Sequence, residues 1–114
     1  TLGELASFYK YGTIVFIGGS LIPVGGHNPL EPALYGKPVL FGPHMENFRN
    51  SARILEENGG GARVDNPEGL NNRIDRLLSD IDLRQTMGNN ARQAVLKNQG
   101  ATERTMDALV SIVV

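Results

Sequence analysis

The chain of 114 residues has no cysteine and only two histidines, His27 and His44. Without thiols it forms no disulfide and offers no thiolate ligand, and two imidazoles alone do not make a structural zinc site. Lys and Arg number 11 against 12 Asp and Glu, which gives a formal net charge of −1. The basic excess typical of nucleic-acid-binding domains is therefore missing. We expect no metal, no cofactor and no nucleic-acid partner, and a reducing compartment.

Long hydrophobic runs are also missing. No run approaches the roughly 20 apolar residues that cross a bilayer, and no signal-peptide pattern opens the chain. The first residue is Thr1 rather than Met, and it stands within a pattern typical of a helix. We therefore expect a soluble piece of a longer protein, with any membrane anchor outside it. The length suits one domain or part of one.

Short apolar runs alternate with helical segments in the first half of the chain. Residues 13–17 form a β-rich run without polar alternation, which predicts a strand buried on both faces. Residues 38–41 predict a second strand and residues 62–64 a weaker third. Helices are predicted between them at 29–35 and at about 47–58, each followed by glycine. This alternation indicates βαβ units and a parallel sheet.

The remainder, residues 65–114, predicts helices only. Asn66 is a typical N-cap with Pro67 at the first helical position. A third helix is expected after Thr102. Each of the three helices carries apolar residues at helical spacing, which predicts a face packed on the core. These residues are Leu70, Ile74, Leu77 and Leu78; Leu83, Met87, Ala91, Ala94 and Val95; and Met106, Leu109, Val110 and Val113.

The predicted fold class is α/β, a Rossmann-like parallel sheet with flanking helices. Three short strands are few for a complete domain, because sheets commonly have about 4 to 6. We therefore expect the second half of a Rossmann-like domain that lacks its first strands. In such sheets ligands bind beyond the carboxyl ends of the strands. The segments after Ile17 and after Phe41 should thus converge on one crevice.

A glycine-rich loop follows the first predicted strand. It contains Gly18, Gly19 and Ser20, and then Gly25 and Gly26 just before the next helix. Backbone without Cβ atoms beside a helix start allows amides to approach a phosphate. A single glycine pair is equally well explained by a tight turn, but two pairs at this spacing favour a ligand loop. The spacing does not match the GxGxxG dinucleotide motif.

Glu31 has two interpretations that spacing alone leaves open. If Asn28 is the N-cap and Pro29 the first helical residue, Glu31 completes a variant capping box and needs no ligand. If the helix instead begins at Pro32, which cannot donate a backbone hydrogen bond, Glu31 lies at its mouth. There its carboxylate would accept hydrogen bonds from a ribose.

The other polar candidates also have two interpretations each. His27 is either a donor to a phosphate or carboxylate or a polar loop residue. The segment from His44 to Asn47 either closes over a base or sugar, or simply leads into a helix that Asn47 caps with Phe48 packed beneath it. Arg49 and Arg53 either reach an anion or lie on a solvated helix face, which is the more common case.

Taken together, these motifs resemble the carboxyl-terminal domain of the 3-deoxy-D-manno-octulosonic acid (Kdo) transferases. The resemblance rests on GGS at 18–20, GGHNPLEPA at 25–33, and GPHMENF at 42–48. It is specific over about residues 13–53 and generic in the helical tail.

The resemblance implies a GT-B architecture of two Rossmann-like domains, of which this chain is most of the donor domain. It implies transfer of Kdo from CMP-Kdo to a lipid A precursor in lipopolysaccharide biosynthesis, without a metal. The full-length protein would lie at the cytoplasmic face of the inner membrane. The donor-binding residues implied are Gly18, Gly19, Ser20, Gly25, Gly26, His27, Asn28, Glu31 and Asn47.

The catalytic base of this family belongs to the amino-terminal domain, so no catalytic residue is expected here and the isolated piece should be inactive. Two other functions stay open at this point. One is half of a GT-B nucleotide-sugar epimerase, which would prefer UDP to CMP. The other is a nucleotide-binding module without catalysis.

Overall fold

The computed structural model describes residues 13–17 and 28–98, together with the backbone of 111–113. Its sheet has four strands: β1 (Val15–Ile17), β2 (Val39–Phe41), β3 (Gly61–Arg63) and β4 (Ser111–Val113). The strand order is β3-β2-β1-β4. β1, β2 and β3 are mutually parallel, as the sequence predicts, whereas β4 pairs antiparallel with β1.

The helices connect and cover these strands. They are α1 (Leu30–Ala33), a 3-10 turn (Glu46–Phe48) that leads into α2 (Arg49–Glu57), α3 (Pro67–Ser79) and α4 (Ile81–Lys97). Gly36 and Gly59, which follow α1 and α2, have φ angles of 70° and 76°. Residues with side chains rarely adopt this conformation, which explains why glycine ends both helices.

Strands β1 and β2 are buried on both faces, which confirms the interpretation of the two uninterrupted apolar runs, whereas β3 is only partly buried. Successive side chains of a strand point to opposite faces. Val15, Ile17 and Phe41 accordingly belong to one apolar cluster, which α1, α2 and α4 cover. Phe16 and Leu40 belong to the other, which α3 covers.

The predicted start of α3 is confirmed. Asn66 is the N-cap, Pro67 is the first helical residue, and the Asn66 Oδ1 atom accepts a hydrogen bond of 2.8 Å from the Gly69 backbone N–H. Leu77 is fully buried, and Leu70 and Ile74 pack against the same cluster. Leu78 is 50% exposed, so its assignment to the core-facing stripe is wrong.

The end of the chain differs from the prediction. Ser111–Val113 is a β-strand rather than the end of a third helix, so the assignment of Val113 to a helical face is wrong. The rest of that predicted helix, with Met106, Leu109 and Val110, lies outside the described residues. Ile112 and Val113 are β-branched and favour extended backbone. Pairing with β1 satisfies their backbone hydrogen bonds, which a helical pattern read locally does not reveal.

Candidate functional site

The candidate site lies at the carboxyl edge of the three parallel strands. Gly42 leaves β2 and Val64 leaves β3 at this edge. Pro38, at the opposite edge, accepts a hydrogen bond of 3.0 Å from the Val15 N–H through its backbone oxygen. The chain leaves β1 at the carboxyl edge and enters β2 at the opposite edge, with α1 between them. α1 therefore begins on the side of the sheet where β1 ends. The predicted loop residues Gly18, Gly19, Ser20, Gly25, Gly26 and His27 lie outside the described residues.

Asn28 anchors the start of α1. Its side chain is 3% exposed, and its Oδ1 atom accepts a hydrogen bond of 3.0 Å from the Leu30 backbone N–H. The N-cap position itself is Pro29, whose side chain caps nothing. Asn28 therefore fixes the direction in which the chain enters α1, but it lies one residue before the observed N-cap, so the prediction of Asn28 as the N-cap is wrong by one residue.

Glu31 is the second residue of α1, which excludes both predicted helix starts. The third helical position is Pro32, so no capping box includes Glu31. Pro32 costs no helical hydrogen bond there, since N–H groups of the first turn have no intrahelical acceptor. Within the described part of the chain the Glu31 carboxylate has no hydrogen bond or ion pair. Partial burial raises its pKa above the ordinary value of 4.5.

The helix itself contributes little to anion binding. α1 has four residues, or about one turn. Few peptide dipoles are aligned in so short a segment, so the helix dipole at its start is weak. The prediction that the amides at this helix mouth bind a phosphate therefore has no support from α1, and it depends on the glycine loop.

A second polar group stands on the segment after β2. The His44 Nδ1 atom lies 3.0 Å from the Glu46 Oε1 atom. Hydrogen bonds from its own backbone N–H and from the His44 side chain lower the pKa of Glu46. The pair therefore retains a carboxylate that holds the imidazole in place at this edge.

Asn47 is exposed and does not cap α2. It lies inside the 3-10 turn, and α2 has no side-chain N-cap, so the capping interpretation is wrong. Phe48 is 7% exposed and packs beneath the turn as predicted, and Met45 is also buried. In the part of the chain that the structure describes, the Asn47 side chain makes no hydrogen bond and is available to a ligand.

Arg63 holds this segment, and sequence reasoning missed it. Its Nη1 atom donates to the backbone oxygens of Gly42 and Pro43 at 3.4 and 3.2 Å. Its Nη2 atom donates to Glu56 at 3.1 Å, and its Cζ atom lies 5.2 Å from the centroid of the Phe41 ring. Arg63 is opposite Phe41 in the parallel register. An arginine within the predicted third strand, residues 62–64, was the available signal.

Arg53 has a local role, as its helical spacing favoured. It donates to Glu57 at 3.1 and 3.2 Å and also to Asn50, and its side chain is 58% exposed. The solvated-face interpretation is therefore confirmed for Arg53.

Comparison with known proteins identifies relatives over almost the whole chain. A Haemophilus influenzae protein named 3-deoxy-D-manno-octulosonic acid transferase is 37% identical over 110 residues, which are 96% of this chain and 26% of that protein. The Bordetella pertussis protein of the same name is 36% identical over 109 residues, with the same coverage. The chain belongs to the Kdo transferase family. It spans about a quarter of the length of these relatives.

The solved structures give the same result for the fold. The C-terminal CMP-Kdo binding domain of WaaA from Acinetobacter baumannii matches with a TM-score of 0.77 at 25% identity, over 83% of this chain and 50% of that one. The predicted fold class, part of the C-terminal domain of a GT-B transferase, is thereby confirmed. No family model matches the chain.

Neither a candidate metal cluster nor a candidate membrane-spanning helix occurs among the described residues of this Kdo transferase segment. There, no group of three or more histidine, cysteine, aspartate or glutamate side chains could hold a metal ion. The helices in the same part of the chain include none that is long and apolar enough to span a membrane.

Proposed function

We propose that this chain is the donor-binding part of a glycosyltransferase that moves Kdo from CMP-Kdo to a lipid A precursor in lipopolysaccharide biosynthesis. Support comes from its relatives, which are named for Kdo transfer, and from its similarity to a domain described as binding CMP-Kdo. The chain alone is inactive in this proposal, because the catalytic base lies in another domain. The complete protein acts at the cytoplasmic face of the inner membrane.

The observation that carries the proposal is the unpaired carboxylate of Glu31. It is partly buried at the carboxyl edge of the sheet, and no described residue neutralises it. Desolvating a carboxylate without a partner costs free energy, so the partial burial of Glu31 does not stabilise the fold. Two ribose hydroxyl groups would supply the missing donors. Glu31 is thus the proposed ribose ligand.

The neighbouring residues complete the proposed donor site. Gly18, Gly19, Ser20, Gly25, Gly26 and His27 are proposed to bind the CMP phosphate and the Kdo carboxylate. Asn28 positions the start of α1 through its bond to Leu30, which orients Glu31. Asn47 is the proposed contact to the donor sugar, since it is exposed beside the His44–Glu46 pair.

The chemistry follows from the leaving group. As the anomeric C–O bond breaks, the CMP phosphate gains negative charge and the sugar becomes oxocarbenium-like. Backbone amides aimed at that phosphate stabilise the charge without a metal ion. The acceptor hydroxyl attacks the opposite face with inversion, and the base from the other domain takes its proton.

The test is calorimetric titration of the protein with CMP and with UDP. We expect CMP to bind more tightly, and Glu31→Gln to weaken it by about 1–3 kcal/mol, the usual effect of losing a hydrogen-bonded carboxylate. Gln has the size of Glu and keeps one acceptor, so packing is retained. Glu57→Gln, on the exposed side of α2, is the matched control and should bind CMP normally.

Two results would count against the proposal. A preference for UDP would indicate a nucleotide-sugar epimerase instead. An unchanged CMP affinity in Glu31→Gln would show that Glu31 does not contact the ribose. The proposed site would then lose the observation that carries it.

A further inference from the structure

A second concave surface lies between the end of β3 and the exposed side of α3. This groove has a volume of about 300 Å³, and its polar lining residues are Arg63, Asp65, Asn72, Arg73 and Arg76. β3 is the outer strand of the parallel set, so β2 separates the groove from β1. The proposed donor residues follow β1 and β2 instead. The groove therefore adjoins the donor site at Arg63, which also holds the segment after β2, but none of its lining residues is a proposed donor ligand.

Helical spacing brings the lining residues of α3 together. Positions 69, 72, 73 and 76 are three and four residues apart, so they share one side of the helix. Leu70, Ile74 and Leu77 occupy the neighbouring side, which packs on the apolar cluster beneath the sheet. The core thereby fixes the rotation of α3 and aims Arg73 and Arg76 along the groove.

The charge of the groove is unbalanced. Three guanidinium groups and one carboxylate, Asp65, line it, and Glu56 pairs with one of the three, so a net positive charge remains in a chain whose net charge is −1. Arg63 is held by loop carbonyls and by Glu56. The side chains of Arg73 and Arg76, in contrast, make no hydrogen bond or ion pair with any residue of the described part. Two like charges beside a fixed third repel each other unless an anion joins them.

We propose that this groove binds a phosphate group. Guanidinium groups donate paired hydrogen bonds that match phosphate oxygens, and Asn72 adds an amide donor. The volume accommodates a phosphate monoester or diphosphate with room for part of the attached group. Asp65 also lines the groove, and its carboxylate repels the anion and limits the affinity for phosphate. The phosphate belongs either to a lipid headgroup or to a soluble ligand, and two probes separate these sources.

The experiment measures binding of inorganic pyrophosphate by calorimetry at low salt. It also measures flotation of the protein with phosphatidylcholine vesicles, with and without phosphatidic acid. The groove variant is Arg73→Gln/Arg76→Gln. Its matched control is Arg92→Gln/Lys97→Gln, which removes the same charge from exposed positions of α4. We expect pyrophosphate affinity to fall roughly tenfold or more in the groove variant, because hydrogen bonds between charged groups are lost, and to stay unchanged in the control.

A further variant should change the pyrophosphate affinity in the opposite direction. Asp65→Asn should bind pyrophosphate more tightly because it removes the one carboxylate of the lining, and it tests the site even if the double variant does not fold. Vesicle binding that needs phosphatidic acid and is lost only in the groove variant identifies a lipid phosphate. Pyrophosphate binding without vesicle binding identifies a soluble one. Absence of both, equal losses in the groove and control variants, or an unchanged affinity of Asp65→Asn would overturn the proposal.

Discussion

Gly88 of α4 lies so close to Gly36 that a Cβ atom at position 88 would overlap the Gly36 carbonyl oxygen. Gly36 ends α1 in the left-handed conformation. The contact therefore joins the segment that enters β2 to the middle of α4. Because both partners at the contact are backbone, neither can move aside at low cost.

The first prediction concerns this contact. Gly88→Ala should destabilise the protein by about 1–3 kcal/mol, the usual cost of overpacking, even though alanine is the better helix former. Gly69→Ala is the matched control. Its Cβ would lie 3.5 Å from the Asn66 Oδ1 atom, an ordinary contact, so we expect stabilisation of up to about 1 kcal/mol. Urea unfolding measures both. Equal effects of the two variants would contradict the close approach.

The second prediction concerns Arg63, which holds the segment after β2. Arg63→Met keeps most of the apolar stem and removes the bonds to the Gly42 and Pro43 carbonyls and to Glu56. We expect a loss of about 1–2 kcal/mol in the free energy of unfolding.

Arg53→Met is the comparison for this variant. Arg53 also pairs with a glutamate, but its side chain is 58% exposed against 34% for Arg63, and the pair spans one helical turn. Exposed pairs of this kind contribute only about 0.3–0.5 kcal/mol. If thermal and urea unfolding rank the two variants in the reverse order, Arg63 does not organise this segment.

The third prediction follows from the raised pKa of Glu31. Well below pH 4.5, the ordinary pKa of glutamate, the Glu31 carboxyl is protonated in both the folded and the unfolded state. As the pH rises, the unfolded chain loses this proton first, so the folded state is progressively destabilised until the folded pKa is passed. Glu31→Gln removes this dependence and should be more stable than the parent at pH 7.

Urea unfolding at pH 4 and pH 7 checks the sign of this effect. The free-energy difference between Glu31→Gln and the parent protein should increase with pH. Asp75→Asn, on the exposed side of α3, controls for removal of one negative charge. A difference that is the same at both pH values would mean that Glu31 is fully solvated in the folded protein, and it would weaken its assignment as a desolvated ligand.

Short-range patterns were sufficient for much of the fold. Strands β1 and β2 could be predicted because their apolar runs carry no polar alternation, which indicates burial on both faces. The helix ends at Gly36 and Gly59 and the helix start at Asn66–Pro67 could also be predicted. Each follows from the conformation or hydrogen bonding of its immediate neighbours. The assignment of Leu78 to the core-facing side was wrong because helical spacing shows the direction of an apolar face but not its width.

The position of the candidate site stays a prediction, and its details differ from the sequence-based expectations where the structure describes them. The alternation of strands and helices placed it beyond the carboxyl ends of β1 and β2. The role of Glu31 stayed ambiguous because two prolines three residues apart, Pro29 and Pro32, allow several helix starts. Only the packing of Leu30 and Asn28 selects one. Asn47 was misjudged as a cap because a 3-10 turn and an α-helix start have similar local sequences.

The sequence by itself determined the parallel α/β class and the resemblance to the Kdo transferases, because both depend on residues close together along the chain. Only the tertiary structure decided the strand at Ser111–Val113, the contact of Gly88 with Gly36, and the hold of Arg63 on Gly42, 21 residues away. The physical reason is common to all three. Each joins distant segments, and the free energy of such a contact depends on which edge, backbone or carbonyl the rest of the fold brings alongside it.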